Sequence, residues 1–129
     1  MPKEVQAAID EANKDCGEPV RLNPGFMASK DVNGDGKPDY ILDYGKFECG
    51  GSITAYCGSA GCLTQVFASL PDGAYVKVWD DNVRAIRFAT VRGKPAMIVD
   101  LHGSACGKTG YLPCPKTLLW NGKSFAATR

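Results

Sequence analysis

Apolar and polar positions along the chain follow two periodicities. Between Pro2 and Lys14, the residues Val5, Ala8, Ile9 and Ala12 recur at i, i+3, i+4 and i+7, the spacing of one helix face. Pro2 suits a first turn while Gly17 and Pro19 stop the pattern, which predicts a helix over 3–15. The rest reads as short β-type runs between glycines and prolines. Residues 83–91 alternate apolar and polar, as a half-buried strand does. Asp39-Tyr-Ile-Leu-Asp-Tyr-Gly and Ala96-Met-Ile-Val-Asp-Leu-His each follow a Gly-Lys-Pro turn and are rich in strand formers. Runs at 65–70 and 74–79 flank Pro71-Asp72-Gly73. Runs at 117–120 and 123–127 flank Asn121-Gly122, a strong hairpin signal.

These runs are arranged as a repeat. A shift of 57 residues places Gly36-Lys37-Pro38 on Gly93-Lys94-Pro95, Ile41 on Ile98, Asp43 on Asp100, and Cys49-Gly50 on Cys106-Gly107. Cys57 then meets Cys114 and Ala28 meets Ala85, nine identities in thirty ungapped positions, where ordinary composition would give about two. The expected fold class is mainly β (α+β). One domain over 1–129 would hold two antiparallel blade-like units, at about 20–81 and about 82–129, behind the N-terminal helix.

Composition narrows the setting. The 129 residues are 44% hydrophobic, enough for a core in one domain, and 15 Lys+Arg against 14 Asp+Glu leave a net charge of +1. That balance carries no footprint for nucleic acid, and no apolar run is long enough to span a bilayer. Six cysteines stand at 16, 49, 57, 62, 106 and 114. Their spacing lacks the close Cys and His pairs of a zinc site, and His102 is the only histidine, so disulfides and an oxidising compartment are expected. The chain opens Met-Pro-Lys-Glu-Val without a basic-then-apolar leader. It therefore reads as a mature periplasmic or extracellular form. For pairing, Cys106–Cys114 is the simplest bridge within the second unit. Symmetry then favours Cys49–Cys57 with Cys16–Cys62, against a competing set of Cys57–Cys62 with Cys16–Cys49.

The sharpest chemistry lies in Asp31-Val-Asn33-Gly-Asp35-Gly36-Lys37-Pro38-Asp39. Ca2+ takes six to eight oxygen ligands. Side-chain oxygens at Asp31, Asn33 and Asp35, a carbonyl at Lys37 and a carboxylate at Asp39 supply them in the order a loop closing on the ion requires. An EF-hand would need Glu at the twelfth position, where Leu42 stands, and a strand rather than a helix follows. Asp43 is a possible late carboxylate. The loop resembles the calcium-binding repeats of the integrin-type FG-GAP and VCBS families, with their Asp-x-Asn-Gly-Asp-Gly-x-x-Asp motif leading into a strand. That resemblance implies four-stranded antiparallel blades, with Asp72-Gly73-Ala-Tyr75 and Asn121-Gly122-Lys-Ser-Phe125 at the blade ends. It also implies one structural calcium, because Thr90-Val91-Arg92-Gly93 replaces the ligands in the second unit and two blades cannot close a propeller.

Other constellations are weaker. Gly103-Ser-Ala-Cys-Gly107-Lys108-Thr109 is not a phosphate loop, since His102 replaces the first glycine and no helix can start in Gly110-Tyr-Leu-Pro-Cys-Pro. Asp100, His102 and Ser104 alternate along an expected strand, which would hold them ~7 Å apart and parallel, unlike a hydrolase triad. A loop closed by Cys106–Cys114 would present Lys108 and Tyr111 for binding at reduced entropic cost. Trp79 and Trp120 read first as core and second as a carbohydrate platform. The expectation is a non-enzymatic, calcium-stabilised binding module of a Gram-negative periplasm or exterior, with a protein or glycan ligand. The alternatives are an inhibitor or immunity protein against a secreted lysozyme or peptidase, acting through Lys108 and Tyr111, and a small hydrolase using Asp100, His102 and Ser104.

Overall fold

A computed structural model describes residues 1–127. Helix α1 (Lys3–Cys16) begins after Pro2 and ends at Gly17, whose φ of 65° lets its N–H return to the Asn13 carbonyl. Glu4 in the first turn and Lys14 in the last complement the helix dipole. The buried face is Val5, Ile9 and Ala12, as the periodicity requires.

Eleven strands follow among the described residues. β1 (Val20–Leu22) pairs only with β4 (Phe47–Cys49), antiparallel. The first large sheet bonds β2 (Met27–Lys30), β3 (Asp39–Asp43), β6 (Gly61–Ser69) and β7 (Tyr75–Val83) in chain order. The short β5 (Cys57–Gly58) shares the β6 edge that β3 occupies, opposite β7. The second sheet bonds β8 (Ala85–Val91), β9 (Lys94–Leu101), β10 (Cys114–Trp120) and β11 (Phe125–Ala127), also in chain order. The fold is mainly β, with one α-helix and only antiparallel strand pairs among the described residues.

The first sheet is buried on both faces. Leu42, Tyr44, Phe47 and Phe67 pack with Val5, Ile9 and Ala12 of the helix. The alternate positions Ile41 and Val66 pack with Met97, Val99 and Phe125 of the second sheet. The continuous apolar run at 40–42 follows from this double burial. Lys30 at the exposed edge strand lies 4.9 Å from the centre of the Phe88 ring, a cation–π contact between the two sheets. Trp79 and Trp120 are both half-buried against the inter-sheet core.

The strand pairs that the 57-residue shift aligns differ in register. Ala28 stands opposite Ile41, whereas Ala85 stands opposite Asp100 and Arg87 opposite Ile98. The slip is two residues, so every side chain keeps its face. At Arg92-Gly93 both φ values are positive, 53° and 77°, closing a two-residue hairpin between Val91 and Lys94. The Asn121 turn is longer than its Asn-Gly signal suggests. Trp120 pairs with Phe125, and the Asn121 carboxamide oxygen accepts from the N–H groups of Lys123 and Ser124.

The bridges are Cys16–Cys49, Cys57–Cys62 and Cys106–Cys114. The symmetric expectation of Cys49–Cys57 with Cys16–Cys62 is therefore wrong, and the competing set is correct. The reason lies in β1 and β4, which have no counterpart in the second sheet. They hold Cys49 beside the end of α1, with Cα atoms of Cys16 and Cys49 at 5.9 Å. Cys57 and Cys62 face each other across the β5–β6 hairpin.

Candidate metal centre

The segment between β2 and β3 curls because Gly34 and Gly36 adopt φ of 76° and 79°, open to glycine at little cost. Asp31 accepts from the Gly34 N–H through Oδ1 and from the Gly36 N–H through Oδ2, both at 2.8 Å. Asp35 Oδ1 accepts from the Lys37 N–H at 2.9 Å. Asp39, at the start of β3, is fully buried (0% exposed). Its Oδ2 accepts from the Val32 N–H at 2.7 Å. Its Oδ1 accepts from the Ser69 N–H at 2.7 Å and the Ser69 hydroxyl at 2.8 Å.

One oxygen from each of Asp31, Asp35 and Asp39 lies within 4.8 Å of the others, so this acidic triad could hold a metal ion. A carboxylate has about four lone-pair sites, so these hydrogen bonds leave acceptor capacity for a cation. Two further features concern unmet charge and polarity. The Ser69 hydroxyl lies 2.8 Å from Asp39 Oδ1 and also 2.5 Å from Asp35 Oδ2. It has one proton and can donate to only one of them. Asn33 is 7% exposed, and its Oδ1 is buried without a hydrogen-bond partner. Its orientation is set by Nδ2, which donates to the Ser69 carbonyl at 2.9 Å; the flipped amide would set two acceptors together. A buried orphan acceptor costs about 1–3 kcal/mol. Burial works to raise the Asp35 carboxyl. The Ser69 hydroxyl, the Lys37 N–H and the Lys37 charge outweigh it and hold the group below its ordinary value, as a carboxylate.

Of the expected ligand residues, Asp31, Asp35 and Asp39 bring carboxylate oxygens together, and Ser69 bonds to Asp35, to Asp39 and, through its carbonyl, to Asn33. Lys37 is exposed and gives its N–H to Asp35. Asp43 is elsewhere: its carboxylate accepts from the Gly45 N–H and caps the 3-10 turn at Tyr44–Lys46. Ser69 had no sequence signal. It lies 30 positions after Asp39 and reaches it because β6 pairs with β3.

The remaining candidates separate. β9 stops at Leu101, and His102 opens a 3-10 turn over Gly103–Cys106. His102 Nδ1 therefore meets Ser104 Oγ at 2.6 Å, and the expected parallel ~7 Å spacing does not occur. Asp100 Oδ1 instead accepts from the Cys114 N–H at 2.8 Å. The His102 ring lies against Gly110, inside the loop that Cys106–Cys114 closes. This loop is tied by Gly103 N–H to the Gly110 carbonyl and by Arg84, whose guanidinium donates to Leu112 and Ser59 carbonyls. Lys108 is exposed and Tyr111 is 78% exposed.

Three disulfides fit an oxidising compartment, and no helix among the described residues is long and apolar enough to cross a membrane. Neither protein-family models, nor curated proteins, nor solved structures give a match to this chain.

Proposed function

We propose that the protein is a calcium-stabilised binding module of the periplasm or cell exterior, acting without catalysis. The convergence of the Asp31, Asp35 and Asp39 carboxylates, two of which share the single Ser69 hydroxyl proton, carries this reading. The donors are all oxygen, with no sulfur or imidazole among them, which suits a hard cation. Asp31, Asn33, Asp35 and Asp39 would hold the ion, with the Lys37 carbonyl as a fifth donor. Calcium there would offset charge that the single Ser69 proton leaves uncompensated and would pin the entry to β3, a strand of both cores.

Calorimetric titration of Ca2+ into EDTA-stripped protein, with Tm followed in parallel, tests the ion. The expected result is one equivalent bound and a raised Tm, both lost in Asp31→Asn/Asp35→Asn. No heat and an unchanged melt would overturn it.

A second reading keeps the scaffold and assigns the contact surface. The Cys106–Cys114 loop is fixed by its bridge and by Arg84, yet holds Tyr111 outward, which favours an inhibitor of a secreted hydrolase. Inhibition of lysozyme or peptidase activity, abolished by Lys108→Ala and Tyr111→Ala with Tm unchanged, would support it. Equal activity with and without the protein across both enzyme classes would remove it.

A further inference from the structure

A cavity of about 430 Å³ opens beside the acidic loop, between it and the β10–β11 hairpin. Asn33, Asp35 and Lys37 line it from the loop and Ser69 from the end of β6, and Pro71 and Trp120 supply apolar surface. A bare ion needs little more than the ~30 Å³ share of one water. The space instead falls in the range of about 300–1,000 Å³ typical of small-ligand sites. Trp120 packs on Phe125, with ring centroids 5.1 Å apart, which steadies an indole that is only half-buried.

We infer that this cavity binds a polyhydroxylated ligand, a glycan, through calcium held by the loop and stacking on Trp120; this rests on the calcium reading above. A sugar ring has a C–H face and a hydroxyl edge. The apolar Trp120 and Pro71 surfaces match the face. The edge meets the oxygen-rich side, where vicinal hydroxyls complete a six- to eight-fold oxygen shell and donate to Asp35. Asn33 and Asp35, two of the residues assigned to the ion, both line the cavity, so the ion site and the open volume adjoin.

The test is a glycan array probed with the intact protein in millimolar calcium and again in EDTA, with calcium titrated by calorimetry on the same preparation. At least one glycan class should be retained in calcium and weakened about tenfold or more in EDTA. Trp120→Leu should lose that retention while still binding calcium, and Trp120→Tyr should keep it. Should the leucine variant fail to fold, tryptophan fluorescence of Trp79→Phe protein reports Trp120 alone, and the retained glycan must change it. Calcium bound with no glycan retained overturns the glycan inference and leaves the calcium reading standing. No calcium bound overturns both. Equal retention in EDTA, or a Trp120 signal blind to the glycan, overturns the arrangement proposed here.

Discussion

The Glu4 carboxylate accepts a 2.9 Å hydrogen bond from the backbone N–H of Tyr75, 71 positions away, joining the first turn of α1 to the start of β7. The Tyr75 N–H, followed by Glu4's own backbone N–H, holds the Glu4 carboxyl below its ordinary value of 4.5. A depressed carboxylate contributes stability above its unfolded pKa and loses it as pH falls through the folded one. Wild type should therefore be more stable than Glu4→Gln at neutral pH. The two melting curves should converge once the pH drops well below 4.5. Tm against pH for both proteins checks this, since other carboxylates contribute equally to each.

Gly61 and Gly58 face each other in the β5–β6 hairpin but differ in tolerance. Gly61 has φ of 91°, and a methyl there would overlap the Val83 carbonyl of β7. Gly58 has open space around it. Gly61→Ala should cost several kcal/mol, the left-handed backbone alone accounting for about 1–2, because β7 must also move. Gly58→Ala should stay within about 0.5 kcal/mol. Urea unfolding of the two variants gives the comparison.

Ser69→Ala separates the hydroxyl from the ion. In EDTA the variant leaves Asp35 and Asp39 without the donor they share, a loss of about 1.5–3 kcal/mol for a hydrogen bond to a charged group. Calcium would supply positive charge to the same oxygens, so the loss should shrink when it is added. The Tm gain on adding calcium should be larger in Ser69→Ala than in wild type. An equal gain would mean that hydroxyl and ion act on different atoms.

Local patterns were legible where local physics decides. The face of α1 at Val5, Ile9 and Ala12 and the clustering of Asp31, Asp35 and Asp39 follow from spacing along a few residues, whereas the expected Gly93-Lys94-Pro95 turn lies one residue earlier, at Arg92-Gly93, with Lys94 and Pro95 already in β9. Ser69 was not legible, because its role exists only once β6 lies against β3. The end of β9 was missed for a related reason. The Cys106–Cys114 bridge and the Gly103–Gly110 hydrogen bond turn the chain at His102, which brings Ser104 onto the ring rather than farther along a strand. The repeat misled the cysteine pairing because β1 and β4 interrupt one unit and not the other.

The two bridges that break this symmetry should differ in thermodynamic weight. Cys16 and Cys49 are 33 residues apart and tie α1 to β4, while Cys57 and Cys62 are 5 apart within one hairpin. Loop-closure entropy scales with the logarithm of the enclosed length and gives about 4 kcal/mol for the first and about 2 for the second. Cys16→Ala/Cys49→Ala should accordingly lower the urea midpoint about twice as far as Cys57→Ala/Cys62→Ala. Cleavage after Tyr56 settles the connectivity independently. Without reduction it should give two separate fragments, the first holding Cys16–Cys49 and the second holding Cys57–Cys62 and Cys106–Cys114. Fragments that stay linked until reduced would restore the symmetric pairing and detach α1 from β4.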